Sequence, residues 1–404
     1  MKLLYLNHNV RGRGTYLRAF HLARQLVQRG HQVTLCTTSP SARWLITAQD
    51  VDGVEIIEAP DLLIGRGRTG WDPWNALRRM LRLRHRSFDL IHAFDSRPVV
   101  VHPAMMLQRW TGAGLVMDWA DWWGRGGWIH DRSGWAVRTM FGPIETWYEE
   151  HFRRQAAGTT AISTALARRA VDLGVRPETV MLLPNGCDAG AIRPASSADA
   201  RRRLQVGSDV PLLVHVGLLT FGDLMLLNNA FERARREIPG ARLVLVGRTG
   251  IRPRPAAGVT VTGTVDSHCL ADWLAAADAC VIPCRDTIGN RGRWPSKVND
   301  YLAAGRPVVM PQVGDVAELL SRSGAGWCTT ATAEGLAAGM VDALADGQAR
   351  ERAARAARGL AERLDWSVLA GPLESFYQVC SSSSMDPSQD LTVSARTTSQ
   401  VSAR

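Results

Sequence analysis

Residues 293–309 read RWPSKVNDYLAAGRPVV and contain Lys297, the only lysine of the chain besides Lys2. Arginine fills the other basic positions, whereas a lysine supplies a compact, flexible ammonium instead of a planar guanidinium. A short apolar run and a loop rich in arginine and glycine precede this stretch, and Pro295 favours the start of a helix. Strand, loop, helix start and ammonium together predict an anion site suited to phosphate, to which the backbone N–H groups of Ser296 and Lys297 contribute.

Asp300 follows Lys297 by three positions, which places both on one helical face. An ammonium for phosphate oxygens beside a carboxylate for vicinal hydroxyls suits a nucleotide diphosphate-sugar. The stretch resembles the donor-binding segment of the GT4-type (group 1) GT-B glycosyltransferases, a serine or proline, a lysine, then Glu-Tyr-x-Ala-x-Gly-x-Pro-Val. The resemblance implies that Ser296 and Lys297 bind the diphosphate and that Asp300 holds the donor ribose. Many members carry a further glutamate eight residues earlier, where this chain has Gly292.

The composition agrees with an enzyme of two domains. The chain has 404 residues, of which 46% are hydrophobic and 21% charged, and a formal charge of +10. A positive charge favours an acidic partner, either nucleic acid, anionic lipid or a phosphorylated substrate. The arginines are spread along the chain and no nucleic-acid recognition motif appears, so we expect no nucleic-acid binding.

The cysteines and the N-terminus predict a cytoplasmic protein. The seven cysteines are scattered and include no Cys-x-x-Cys pair, which is typical of reduced thiols and argues against a disulfide framework or a zinc site. The first residues lack a long apolar run, so we expect neither a signal peptide nor a transmembrane span.

The first forty residues predict a βαβ unit, whose connecting loop contains Gly12 and Gly14. Backbone in such a loop can approach a phosphate closely, although the same pattern also occurs in plain turns. The third glycine of a dinucleotide fingerprint is missing, which counts against a nicotinamide or flavin enzyme. The family resemblance implies a place for Gly12 and Gly14 at the interdomain cleft, near the donor diphosphate.

Two aspartates follow a predicted strand over 114–118. Ligands of open α/β sheets bind beyond the carboxyl ends of the strands, where Asp118 and Asp121 lie. The family's equivalent strand often ends in a histidine or aspartate that faces the acceptor and the transferred sugar, and we assign this role to Asp118 first and Asp121 second. The alternative is that one of them caps the following turn.

Two groups of residues, a cluster of tryptophans and a run of arginines, are candidates for contact with a membrane surface. Six of the fourteen tryptophans follow the same strand: Trp119, Trp122, Trp123, Trp128, Trp135 and Trp147. Indoles suit sugar rings or a membrane interface, and an aromatic subcore is the alternative. The run 78–86 reads as a helix that rests a basic face on anionic lipid or exposes it to solvent. If both lipid interpretations hold, the protein makes peripheral contact with the inner face of the membrane, and its acceptor is lipid-linked or bound near the membrane.

The second half starts after residues 182–188, LLPNGCD, which resemble the family's interdomain crossing. Strands are predicted over 211–217, 242–247 and 259–263. The resemblance places Gly217 at the diphosphate, and it places Val265 in the turn whose backbone reads the base. The family's loop after the first of these strands carries an arginine and a lysine, but residues 218–223 read LLTFGD. Arg248, and Arg291 or Arg293, are the candidate substitutes.

The predicted fold class is α/β, with a GT-B architecture of two Rossmann-like domains whose parallel sheets face each other across a cleft. We predict an acceptor-side domain over 1–190 and a nucleotide-sugar-binding domain over 191–362. A helix over 363–380 is expected to return to the first domain, and residues 381–404 are expected to be disordered.

The predicted activity is a retaining transfer of a sugar from a nucleotide diphosphate-sugar to an acceptor hydroxyl of a polysaccharide, glycolipid or small-molecule glycoside. Lys297 and Arg248 would stabilise the leaving diphosphate, and Asp118 or Asp121 would contact the transferred sugar. We expect no bound metal and no cofactor besides the donor as co-substrate. The alternatives are a nucleotide-sugar epimerase of the same architecture and a non-catalytic sugar-nucleotide-binding partner of another transferase.

Overall fold

The computed structural model describes residues 1–63, 70–132, 134–247 and 257–382. Arg248 and nearly all of the predicted tail over 381–404 fall outside these ranges. The described chain forms two β-sheets flanked by helices, one sheet in each half of the sequence.

The first sheet has eight strands. They are β1 (Lys2–Val10), β2 (Gln32–Thr38), β3 (Thr47–Val51), β4 (Val54–Ala59), β5 (Leu90–Phe94), β6 (Gly114–Trp119), β7 (Gly158–Ala161) and β8 (Val180–Leu182). Their order in space is β3-β4-β2-β1-β5-β6-β7-β8. Neighbouring strands pair in parallel, except that β3 runs antiparallel to β4. The central strands are apolar along most of their length because helices cover both faces of the sheet.

Helices of the first half connect these strands. They are α1 (Thr15–Gln28), α2 (Pro73–Leu83), α3 (Pro98–Thr111), α4 (Trp128–Arg132), α5 (Trp135–His151) and α6 (Thr164–Asp172). The helix α2 begins and ends earlier in the chain than the arginine-rich helix predicted over 78–86. Its N-cap Asp72 accepts a hydrogen bond from the Trp74 N–H, and Pro73 occupies the first turn, so the helix begins earlier than predicted.

The second sheet has six strands, all parallel. They are β9 (Leu212–Val216), β10 (Arg242–Val246), β11 (Val259–Gly263), β12 (Ala279–Val281), β13 (Val308–Pro311) and β14 (Gly326–Thr329), in the spatial order β11-β10-β9-β12-β13-β14. The helices of this half are α7 (Ser197–Arg203), α8 (Phe221–Glu237), α9 (Ser267–Ala276), α10 (Ile288–Arg291), α11 (Lys297–Ala303), α12 (Gly314–Ser323), α13 (Ala333–Ala345), α14 (Gly347–Arg363) and α15 (Trp366–Ser382). The predicted α/β class with two parallel sheets is confirmed, with the antiparallel β3 as an addition.

The last described helix, α15, packs on the first sheet rather than on the second. The hydroxyl of Tyr377 lies 2.7 Å from that of Tyr5 and 2.5 Å from Nδ1 of His92, inside the apolar core of the first half. Gly114 and Gly158 leave room for the end of this helix, because a Cβ at either position would collide with Cys380.

The chain crosses between the halves twice, and the two crossings lie side by side. The Cys187 N–H donates to the Leu364 carbonyl at 3.0 Å, and the Trp366 N–H donates to the Cys187 carbonyl at 3.1 Å. The residue numbers at which we divide the domains stay a prediction. Over the described ranges, every helix is too short or too polar to span a membrane.

Candidate functional site

Lys297 stands at the start of α11, and its ammonium reaches the carboxyl end of β9. Its Nζ lies 3.3 Å from Nε2 of His215 and 3.4 Å from the backbone oxygen of Leu218. A Cβ built on Gly217 would lie 3.6 Å from this Nζ, and Gly217 has a φ of +87°, which glycine adopts readily. The ammonium therefore lies beside the backbone of Gly217, which no side chain covers, at the end of a central strand. Ligands of parallel sheets bind at such strand ends.

Asp300 lies in the first turn of the same helix, as its spacing from Lys297 predicted. Ser296 is exposed and Asp300 is half-buried. Burial raises the pKa of Asp300 from 3.8 to about 6, and no group in the described chain donates a hydrogen bond to its carboxylate. A half-buried carboxylate of this kind can accept hydrogen bonds from ligand hydroxyls. The predicted contact with ribose stays a prediction.

Two glycines with positive φ values stand at the ends of β10 and β11, the two strands on one side of β9. Gly247 follows β10 with a φ of +97°, and its N–H donates to the Gly263 carbonyl at 2.9 Å. Gly263 ends β11 with a φ of +71°, and Val265 beyond it is half-buried against apolar side chains. Arg248, which follows Gly247 in sequence, lies outside the described residues, and its role stays a prediction.

The loop 218–220 and the first turn of α8 lack cations of their own, but Arg285 reaches them from the end of β12. A Cβ built on Gly222 would lie 2.5 Å from Cζ of Arg285, so the guanidinium occupies the space that this glycine leaves. Nε of Arg285 lies 3.6 Å from Oδ1 of Asp223.

Arg291 and Gly292 lie where the second half meets the first. Arg291 donates two hydrogen bonds to Asp286, at 2.6 and 2.7 Å, so its charge is already paired. It also lines a polar cleft of about 530 Å³ between the halves. A Cβ built on Gly292 would lie 3.0 Å from Cβ of Trp122. A glutamate at this position would therefore have to displace Trp122, which accounts sterically for the glycine.

Asp118 is fully buried at the end of β6 and is held in an ion pair. Arg18 donates from Nη2 to Oδ1 at 2.9 Å and from Nε to Oδ2 at 3.1 Å, and Thr160 donates at 2.6 Å. Burial opposes ionisation, but the Arg18 charge and hydrogen bonds hold the pKa of Asp118 below its usual value. Arg18 also donates to the carbonyls of Leu183 and Pro184 in the first crossing, both at 2.8 Å. Protein donors thus occupy the Asp118 carboxylate, which argues against its predicted contact with a transferred sugar.

Asp121 borders a space that a small ligand or water can enter. With Asp95 and Glu149 it lines a polar cavity of about 20 Å³ at the carboxyl ends of β5 and β6, enough for one water molecule. Glu149 is buried and accepts a hydrogen bond from the Trp119 indole at 2.9 Å, and burial raises the pKa of Glu149. Asp118 lines the same cavity. The predicted contact of Asp121 with a transferred sugar stays a prediction.

Hydrogen bonds to the Asn9 side chain hold the glycine loop before α1. The Thr15 N–H donates to Oδ1 of Asn9 at 2.7 Å, and a Cβ on Gly14 would collide with that oxygen. This N–H at the start of α1 is therefore not available to a phosphate. A Cβ on Gly12, which has a φ of +76°, would meet open space. Gly14 thus serves the turn, and Gly12 is the position at which a ligand can approach the backbone.

The clustered tryptophans differ in burial, so no single interpretation of the sequence applies to all of them. Trp119 and Trp128 are buried, and the guanidinium groups of Arg153 and Arg293 lie over their rings, 4.1 and 5.0 Å from the ring centres. Trp122 packs at the boundary between the halves, against Gly292. Trp135 and Trp147, both on α5, are 74% and 48% exposed. These last two remain accessible to an outside partner.

Three polar residues near these positions were missed from the sequence: His215, Arg285 and Arg18. A signal existed for His215, the only polar residue in the strand LLVHV. Arg18 offered none, because its partner Asp118 is 100 residues away.

Two family models match most of the chain. A Glycosyl transferase 4-like domain matches residues 13–186, and a Glycosyl transferases group 1 domain matches residues 210–346. Among curated proteins, the chain is 27% identical over 385 residues to a glycogen synthase of Mycobacterium tuberculosis, with 87% of each chain covered.

Solved structures share the fold over nearly the whole chain. Sucrose-phosphate synthase from Thermosynechococcus elongatus has a TM-score of 0.74 at 17% identity, with 93% of this chain and 98% of that chain covered. HepE of Anabaena, solved in complex with UDP-glucose, has a TM-score of 0.67 at 17% identity and the same coverage. The catalytic domain of starch synthase IV from Arabidopsis thaliana, bound to ADP and acarbose, has a TM-score of 0.68 at 13% identity, with 94% and 99% covered.

Proposed function

Because this chain belongs to the group 1, or GT4-type, glycosyltransferases and has their GT-B fold, we propose that it moves a sugar from a nucleotide diphosphate-sugar to an acceptor hydroxyl with retention of configuration. The observation that carries the proposal is the placement of Lys297. Its ammonium lies at the bare backbone of Gly217, and Asp300 stands in the same helical turn. A cation for phosphate oxygens thus stands at the strand end, and a carboxylate for hydroxyls lies in the same turn of α11.

The proposed step breaks the bond between the anomeric carbon and the diphosphate oxygen. The acceptor oxygen forms its bond to the same face of that carbon, and its proton passes to the departing phosphate. Negative charge grows on the diphosphate as the bond breaks, and the ammonium of Lys297 stabilises it. Arg248 is proposed as a second cation.

The remaining contacts are proposed from position. Asp300 accepts hydrogen bonds from the ribose hydroxyls, while the backbone at Gly263 to Val265 borders the base. Gly12 lets the loop before α1 approach the donor, and Asp121 contacts the transferred sugar. We propose no resident metal and no further cofactor.

A sugar hydroxyl is the acceptor that we propose, whether on a polysaccharide, a glycolipid or a small glycoside. The matched relative named glycogen synthase and the fold shared with sucrose-phosphate synthase support this class. The cytoplasmic location expected from the sequence stays a prediction.

We also propose peripheral contact with anionic lipid, through the outer face of α5. Apolar side chains at helical spacing point outward on this helix: Val137, Met140, Phe141, Ile144 and Trp147. Its small and acidic residues, Gly142, Glu145 and Glu149, point inward. This reverses the usual arrangement of a surface helix and leaves an apolar face exposed. The predicted basic face of α2 contributes less than expected, because Arg79 is buried and bonded to Asn75 and Thr38.

Sedimentation with phosphatidylcholine vesicles, with and without phosphatidylglycerol, tests this contact. Phe141→Glu should abolish binding to the anionic vesicles, whereas Val368→Glu, at an exposed apolar site on α15, should not. Equal binding of both variants and the wild type would remove lipid as the partner of α5.

A thermal-shift screen against UDP, GDP, ADP, CMP and dTDP with their common sugars tests the donor site. A ligand at about 100 times its Kd adds about 2.7 kcal/mol to the folded state. One nucleotide family should raise the melting temperature of the wild type, and Lys297→Ala and Asp300→Ala should lose that shift. The donor so found is then incubated with candidate sugar acceptors. Turnover of donor without an acceptor would indicate an epimerase, and binding without turnover on any acceptor would indicate a non-catalytic partner.

A further inference from the structure

His215 is a buried histidine whose described hydrogen-bonding neighbours are a backbone carbonyl and the ammonium of Lys297. It is 1% exposed inside β9, a central strand of the second sheet. Nδ1 lies 2.8 Å from the carbonyl oxygen of Val281, and Nε2 lies 3.3 Å from Nζ of Lys297. No part of the activity proposed above uses this imidazole.

The two contacts determine the tautomer of the ring. A carbonyl oxygen only accepts, so Nδ1 carries the proton and donates it to Val281. Nε2 then has a lone pair and accepts a hydrogen bond from the Lys297 ammonium, which only donates. Burial, and after it the Lys297 charge, hold the pKa of His215 well below 6.5. The ring is therefore a neutral acceptor throughout the physiological range.

Two acceptors of the ammonium lie close together in the chain, at the end of β9. Nε2 of His215 is one, and the Leu218 carbonyl at 3.4 Å is the other. A lysine side chain has four rotatable bonds and would otherwise sample many positions. Both acceptors belong to β9 or to the residue pair that follows it, and between them lies Gly217, whose missing side chain leaves the approach open.

We propose that His215 is a positioning residue that holds the Lys297 ammonium at Gly217, in place for the donor diphosphate. The identity of the ligand rests on the proposed function, whereas the contact between His215 and Lys297 does not. An ammonium held in advance loses less side-chain entropy when an anion binds. The loop after β9 contains no cationic residue, so the positive charge that stabilises the leaving group comes from Lys297 on α11.

Paired variants test the proposal. In His215→Leu the acceptor is lost at similar volume, and in His215→Gln an amide oxygen can replace it. His92→Leu is the matched control, since His92 is equally buried in the first sheet and bonded to Tyr377 and Thr160. Each variant is titrated with the nucleoside diphosphate that binds the wild type and with the corresponding nucleoside.

His215→Leu should weaken binding of the diphosphate about tenfold or more, the effect expected of a lost hydrogen bond to a charged group. Nucleoside binding should not change, and His215→Gln should recover much of the diphosphate affinity. In combination with Lys297→Ala the His215→Leu loss should disappear, because the two residues act as a unit. His92→Leu should lower the melting temperature without changing the ratio of diphosphate to nucleoside affinity.

Unchanged diphosphate affinity in His215→Leu, or a loss that adds fully to that of Lys297→Ala, would overturn the role of His215. Nitrogen NMR of the wild type separates this outcome from failure of the proposed function. The spectrum should show His215 neutral and protonated at Nδ1 at pH 7, and Lys297→Met should raise its pKa. If this holds but the wild type binds no nucleoside diphosphate, the proposed function fails while the contact between His215 and Lys297 stands.

Discussion

Protonation of Asp300 should control affinity for the nucleotide-sugar. Burial raises the pKa of this carboxyl to about 6, and the described chain donates no hydrogen bond to it. The ionised form accepts hydrogen bonds from two hydroxyls, whereas protonation removes the charge that strengthens them. A nucleotide diphosphate-sugar is the right probe, because its diphosphate, unlike that of a free nucleoside diphosphate, does not titrate near pH 6.

The size of the effect follows from the pKa. With a pKa of about 6, the carboxyl is about nine-tenths ionised at pH 7 and about one-tenth ionised at pH 5. If the ionised form binds, the apparent Kd should rise about tenfold between these pH values. His215 does not interfere in this window, because burial keeps its pKa well below 6.5.

Asp300→Asn removes the titratable carboxyl. We expect it to lower affinity for the nucleotide-sugar and to raise the free energy of unfolding. The folded protein binds the Asp300 proton more tightly than the unfolded chain does, so wild-type stability falls as the pH rises from about 4 to about 6. The variant lacks this loss and should be more stable at pH 7.5 by about 3 kcal/mol, since the pKa is raised from 3.8 to about 6 and one pKa unit corresponds to about 1.4 kcal/mol. Its affinity should be low and independent of pH.

Calorimetric titration from pH 5 to pH 8 measures the affinities, and urea unfolding measures the stabilities. Asp342→Asn, at an exposed position on α13 in the same half, serves as the control and should behave as the wild type. Wild-type affinity that does not change between pH 7 and pH 5, or full affinity in Asp300→Asn, would refute the assigned contact with ribose.

Three further variants address other parts of the site. Arg18→Ala leaves a buried carboxylate unpaired and should cost about 3–5 kcal/mol in urea unfolding, whereas Arg24→Ala on the same helix breaks a half-exposed pair and should cost less than about 1 kcal/mol; equal losses would contradict this. Gly292→Glu has to displace Trp122 and should lower the free energy of unfolding by about 1–3 kcal/mol, so wild-type stability would contradict the packing. Lys297→Arg should lower kcat about 10²–10³-fold, as loss of an oxyanion donor does, without changing the melting temperature, and a near wild-type rate would show that any cation suffices.

The sequence predicted the second half better than the first. Lys297 and Asp300 lie within four residues of each other on one short helix, so a local pattern contained their relation. Several strands of both sheets were likewise predicted from short apolar runs: β1, β2, β6, β9, β10 and β11. The strand β3 was not, because its residues are mostly exposed and its pairing with β4 completes an edge rather than a core.

Long-range pairing accounts for most of what the sequence could not show. Asp118 looked like a cleft residue because it ends a strand, but its partner Arg18 lies on a helix 100 residues earlier. The relation between Gly292 and Trp122 joins residues from opposite halves in the same way. Nothing local distinguishes a carboxylate that meets a ligand from one that meets an arginine across the fold.

The contact of α15 with the first sheet sets an order of events during synthesis. Tyr5 and its partner Tyr377 are 372 residues apart in the chain. At about 5–20 residues per second, the ribosome needs roughly 20–70 s to make the residues between them. Until then the part of the first sheet that α15 covers stays exposed, although α1 already packs on the same side. The half that is made first is therefore the half that is finished last.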